Sequence, residues 1–268
     1  MKTAGHLAKH PTVLDSSTSE PSMFLLNSLS RFTRSARHKN AQNNGSSSNL
    51  SVSSHSSKKS STTSSTHGNH AQRKQTPLYL RQPFISTHLV KGNFSTIVSL
   101  PRYIDRNEWL AINVYELFTY LNHFYDVFAA FCTVQTCPTM SAAPGIDYTW
   151  LDSNRKPLRL PAPQYIEYVM AWIENRLRDQ SIFPTKAGVP FPSNFEAIVK
   201  AIYKQLFRIF VHIYNYHYPE ILHVSLEAHW NSFFAHFIAF GKEFGLLDPR
   251  DTGPLKKLID VLEFQGNI

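Results

Sequence analysis

Aromatic residues stop abruptly at one place in this chain, and that boundary limits what can fold. Of 19 Phe, 12 Tyr and 4 Trp, only Phe24 and Phe32 precede residue 77. A segment with so little apolar surface cannot offset the entropy of ordering its backbone. Residues 45–66 show the contrast, with fifteen Ser or Thr in 22 positions. Residues 1–76 therefore read as a disordered tail. Residues 77–268 read as one domain, long enough to close a single core.

Charge divides at the same place. The first 76 residues carry ten Lys or Arg against Asp15 and Glu20, a net +8, while 77–268 carries seventeen of each sign. The sequence pI of about 9.4 thus belongs to the tail and does not mark the domain as a nucleic-acid binder, so no nucleic-acid partner is expected. Two cysteines do not make a disulfide framework. No run approaches the ~18 apolar residues of a membrane span, and the first fifteen residues lack the apolar core of a secretory signal. An intracellular, soluble chain without stable membrane insertion is expected. The tail composition also fits a transit peptide, and residues 24–37 have the pattern of a short amphipathic helix for an anionic membrane. Ser35 and Ser60, beside basic residues, are candidates for regulatory phosphorylation.

Within 77–268 the apolar spacing is helical. The stretch 77–101 reads as an extended leader. Asp105, with Glu108 three residues on, has the spacing of a capping box. Behind it Leu110, Val114, Leu117, Leu121, Phe124 and Phe128 recur at helical intervals, predicting a long buried helix over 106–131. Four prolines break the pattern between Cys132 and Pro163, where residues 148–150 and 158–160 flank an Asp-Ser-Asn turn and predict a small hairpin. Further helices are expected over 164–179, from Ser193 (capping box with Glu196) to Tyr214, over 220–244 with a stop at Gly245, and over 253–263. The expected class is all-α, a helix-bundle core with one small β-hairpin.

The two cysteines and one histidine pair form the chemically distinctive set. Cys132 and Cys137 (C-x4-C) follow the first long helix, and His212 and His217 (H-x4-H) close the third. Two thiolates and two imidazoles suit a tetrahedral Zn²⁺ with no open position, a structural and not a hydrolytic site. Five helical residues rotate the second ring about 140° from the first, so convergence requires the helix to unwind between them. The chain has 13 His, so this spacing also arises by chance, and buried Cys is common. His223, His229 and His236 on the fourth helix are a weaker metal candidate. Lys204 and Arg208, one turn apart, could grip a phosphate or simply be a solvated face. Glu108, Trp109, Ile112 and Glu116 mix acidic and apolar character at the start of the first long helix, as a groove for a basic helix does and as an ordinary rim does. No phosphate loop, nucleophile elbow, H-E-x-x-H or kinase motif is present, which favours a binding protein over an enzyme. A zinc hydrolase remains an alternative.

Around these pairs the sequence resembles the Mob (Mps-one-binder/phocein) family. The resemblance runs through Asn107-Glu-Trp-Leu-Ala-Ile-Asn113, Phe131-Cys-Thr-x-x-x-Cys-Pro-x-Met-Ser-Ala142, Phe183-Pro-x-Lys-x-Gly-x-Pro-Phe-Pro192, His212-Ile-Tyr-x-x-His217 and Glu227-Ala-His229, in one register over roughly 80–265. Residues 89–98 and 228–234 look nearest the fungal branch that partners NDR-type kinases. The resemblance implies a helical bundle with structural zinc on Cys132, Cys137, His212 and His217. It implies a non-catalytic adaptor that binds the basic N-terminal segment of an NDR/LATS-group kinase through Glu108, Trp109, Ile112 and Glu116; a monomer outside that complex is the default expectation. Glu116 stands where the LATS-binding subclass has Asp, favouring an NDR partner. It implies a role in cell polarity and morphogenesis, in the cytoplasm at the cortex or growth sites and also the nucleus. Some relatives read phosphopeptides through a basic trio. Here Lys204 and Arg208 match it and Gln205 does not, so a phosphopeptide-binding scaffold is the alternative.

Overall fold

The computed structural model describes residues 75–268, and the expectations of tail disorder before residue 75, phosphorylation at Ser35 and Ser60, and an amphipathic segment over 24–37 lie outside the described residues. The described chain is mostly helical. Its helices are α1 (Ser95–Val98), α2 (Arg106–Phe128), α3 (Ala162–Arg178), α4 (Phe195–Tyr216), α5 (Tyr218–His223), α6 (Glu227–Glu243) and α7 (Lys256–Phe264).

Helix α2 begins where its capping residue places it. The Asp105 carboxylate accepts the N–H groups of Asn107 (2.8 Å) and Glu108 (3.1 Å), two donors that the first turn leaves without helical partners. The whole expected apolar face, from Leu110 to Phe128, is fully buried. The start of α4 departs from expectation. Asn194, not Ser193, occupies the cap position, and no side chain caps the helix. The Phe195 N–H instead turns back to the Pro192 carbonyl at 2.9 Å. Glu196, released from a capping box, pairs with Arg106 at 2.7 Å and Lys200 at 3.0 Å, linking the starts of α2 and α4.

Helix α6 is the centre of the bundle. Every residue from His229 to Gly241 is buried, so all its faces are covered by other elements. Trp230, with no exposed surface, meets Phe124 of α2 at 5.2 Å and Phe210 of α4 at 4.8 Å between ring centroids. Aromatic side chains of this size supply much of the core's buried apolar area. The helix ends at Gly245 as expected: its φ of 62° lets Leu246 N–H return to the Gly241 carbonyl at 2.8 Å.

Three further expectations are corrected. The leader is not extended but folds into single 3₁₀ turns at Leu78–Leu80 and Phe84–Ser86 followed by α1. Some of its backbone groups are satisfied by α6 side chains. The Asn231 amide donates to the Phe84 and Thr87 carbonyls at 2.9 Å, and the Ser232 hydroxyl accepts the Leu89 N–H at 2.8 Å. The single helix expected over 220–244 is two, α5 and α6, divided where Ser225 takes a φ of 56°. The small β region is two antiparallel pairs. The expected hairpin is present as β3 (Trp150–Leu151) with β4 (Pro157–Leu158). A second pair, β1 (Ser141–Ala143) with β2 (Ile146–Asp147), precedes it in sequence.

Candidate functional site

Two helix ends meet at the cysteine–histidine cluster. After α2 the loop between the cysteines is closed by its own threonines. Thr133 N–H donates to the Thr136 hydroxyl at 2.9 Å, and that hydroxyl donates to the Phe131 carbonyl at 2.6 Å. Cys137 is then fixed to the start of α3, its carbonyl accepting the Ala162 N–H at 3.0 Å. On the other side, α4 does not unwind between its histidines, contrary to expectation. It runs intact to Tyr216, and His217 alone leaves helical geometry as the cap, with φ −128° and ψ 15°. That single change brings the two rings to 5.2 Å between centroids.

The four donor atoms lie within 4.8 Å of one another and all four residues are buried. Cys132 Sγ is 3.5 Å from His212 Nε2, and Cys137 Sγ is 3.3 Å from His217 Nε2. A tetrahedral Zn²⁺ with ordinary bond lengths separates a sulfur and a nitrogen ligand by about 3.5 Å. The donor chemistry agrees. Burial pushes the Cys132 thiol up to about 12, with the Cys137 thiol beside it adding to the rise. Burial lowers both His212 and His217 to about 4, which keeps the imidazoles neutral and their lone pairs free. A metal ligates the thiolate and the neutral imidazole, so two buried cysteines beside two neutral histidines fit a divalent metal. The His212 Nδ1 lies 2.9 Å from the Ser141 carbonyl in β1, and donating its proton there leaves Nε2 as the ligand atom.

The other candidates separate. His223 is exposed and His229 and His236 are buried, and the Cys132, Cys137, His212, His217 group is the one metal-compatible cluster found among the described residues. Lys204 is engaged by Asp251 at 2.9 Å. Arg208 donates to the Tyr165 hydroxyl at 2.6 Å and lies over the Tyr148 ring at 4.8 Å, while Tyr165 donates to Gln205 at 2.8 Å. The two basic groups thus have partners within the fold.

On α2, Glu108 and Ile112 are exposed and Glu116 is half-buried. Trp109 is half-buried too, its indole N–H donating to the Val98 carbonyl at 3.1 Å, so it ties α1 to α2 and does not stand out from the face. Sequence reasoning missed the neighbours of this stripe. Five of the thirteen large exposed hydrophobic side chains among the described residues are Leu100, Tyr103, Ile104, Ile112 and Tyr115. Tyr115 falls at helical spacing from Ile112 and was readable. The turn carrying Tyr103 was not.

The Mob1/phocein family model matches residues 86–255. The chain belongs to the Mob1/phocein family. Among Mob proteins it is 72% identical over 246 residues to the maintenance of ploidy protein mob2 of Schizosaccharomyces pombe, covering 92% of this chain and all of that one. It is 52% identical over 194 residues to the CBK1 kinase activator protein MOB2 of Saccharomyces cerevisiae, covering 72% of this chain and 68% of that one. A plant Mob relative, the MOB kinase activator-like 1A of Arabidopsis thaliana, is 45% identical over 178 residues, 66% of this chain and 83% of its own length.

Proposed function

We propose that this chain is a non-catalytic coactivator of an NDR-type protein kinase, binding the kinase's basic N-terminal regulatory segment on the exposed face of α2. The observation that carries this reading is the run of exposed apolar side chains between Leu100 and Tyr115, with the exposed Glu108 within it and the half-buried Glu116 next in sequence. An apolar strip edged by acids complements an amphipathic basic helix. Two fungal relatives that carry the name CBK1 kinase activator support the same partner class. Bound, the kinase segment is ordered and the active kinase conformation gains population. The setting is cell polarity and morphogenesis, as the fungal Mob resemblance implies.

Zn²⁺ on Cys132, Cys137, His212 and His217 serves the fold in this reading. With four protein donors it supplies no open position for water, which argues against hydrolysis. The intramolecular partners of Lys204 and Arg208 argue against a phosphopeptide scaffold.

The test is a pull-down of the full chain against the purified N-terminal segment of an NDR-type kinase, with zinc quantified in the same sample. Stoichiometric capture with about one zinc per chain is expected. Replacing the exposed pair, Glu108→Lys with Ile112→Asp, abolishes capture and leaves the thermal melt unchanged. Undiminished capture by that variant refutes the surface assignment.

A further inference from the structure

Between α1 and α2 the chain makes a turn whose geometry and sequence disagree. The Ile104 N–H donates to the Pro101 carbonyl at 3.2 Å, closing four residues. Of the two central residues Tyr103 alone has a positive φ, 74°, the φ pattern of a type II turn. The third position of that turn takes Gly or Asn, because a larger side chain there brings its Cβ against the neighbouring carbonyl. A bulky residue held in this conformation costs free energy, and such costs persist where the residue does something else. Burial does not offset the cost here, since Tyr103 is 94% exposed.

The surroundings of the ring indicate what it meets. Leu100, just before the turn, and Ile104, its last residue, are 40% and 47% exposed, and Ile112 and Tyr115 are exposed further along α2. The Asp105 carboxylate is occupied in capping α2, and Arg106 is held by Glu196. Arg102 and Glu108 are the other exposed charges at this end. Tyr is favoured as an anchor in interfaces, since it covers a large area while fixing only two side-chain torsions.

We infer that Tyr103 is an anchor of the partner surface, its ring packing on the apolar face of the basic regulatory helix where that helix passes beyond Glu108. The inference rests on the kinase-coactivator reading above. It assigns to an isolated turn residue a share of affinity that fold stability alone does not explain.

The test compares the full 268-residue chain with Tyr103→Gly and Tyr103→Phe. Each is titrated against the purified N-terminal segment of an NDR-type kinase and melted without it. Glycine relieves the turn and removes the ring, so Tyr103→Gly is expected to melt at the same or a higher temperature yet bind at least about tenfold more weakly. Tyr103→Phe keeps the ring and is expected to bind within about threefold of the parent. If the parent binds and Tyr103→Gly binds equally well, the anchor role is wrong and the coactivator reading stands. Weaker binding accompanied by a lower melting temperature assigns Tyr103 to folding and also overturns the inference. If the parent itself does not bind, the coactivator reading fails and takes this inference with it.

Discussion

Cys132 and His212 touch at 3.5 Å across eighty residues of chain, as do Cys137 and His217 at 3.3 Å. Each pair joins the end of α2 to the end of α4, so removing one donor releases two helix ends together. Cys132→Ser is expected to lose zinc and to lower stability by roughly 4–5 kcal/mol, since loss of a metal site is among the few causes of destabilisation that large. Zinc quantification and denaturant melts check it, and chelation of the parent protein should reproduce the same loss. These four residues were legible because thiol and imidazole side chains carry their chemistry in their identity and spacing. The Ser141 carbonyl behind His212 was not legible, because a backbone atom has no signature in a sequence. Tyr103 was hidden for a related reason: its importance lies in a φ value that its residue type does not advertise.

At the scale of elements, packing decides more than local signals do. Gly241 lies where α6 passes α4 closely. A Cβ there would sit 2.9 Å from the Tyr203 ring and 3.0 Å from Leu247, and the Tyr203 hydroxyl is tied to the Phe237 carbonyl at 2.8 Å. Gly241→Ala is therefore expected to destabilise by about 1–3 kcal/mol, although alanine favours helix, and a denaturant melt reads the sign. Nearby, the leader stacks Phe94 on His236 of α6 at 5.6 Å. Burial holds the His236 imidazole down at about 4, whereas an unfolded one protonates near 6.5. Between those values the unfolded chain binds a proton that the fold refuses, so stability falls as pH falls through the window, by up to roughly 3 kcal/mol. His236→Phe should flatten that slope between pH 7 and 4.5. The Cys132, Cys137, His212 and His217 cluster is the same in both proteins, so the difference in slope isolates His236. The sequence announced α2, α3 and α4 through their apolar periods. It concealed the break between α5 and α6, because Ser225 turns the chain with neither Gly nor Pro to mark it.

At the scale of the whole molecule the sequence conveyed the all-α class and the aromatic core, and left open how the leader wraps α6. It also fixes a charge layout whose consequence is kinetic. Residues 77–268 are neutral overall, while the +8 excess lies before them, and the face proposed for the kinase carries Glu108 and Glu116. Attraction between that face and a basic segment accelerates encounter and is screened by salt, with a Debye length of about 10 Å at 0.1 M and about 3 Å at 1 M. Like charge gives the basic N-terminal residues the opposite sense towards a basic partner, since they would repel it. Removing residues 1–74 is therefore expected to raise the association rate severalfold at low ionic strength and to leave it unchanged near 1 M salt. Stopped-flow association of the kinase segment with the full and shortened chains, across a salt series, checks this. A shortened chain that binds more slowly at every salt concentration would instead show that those residues contribute contacts of their own, independent of long-range charge.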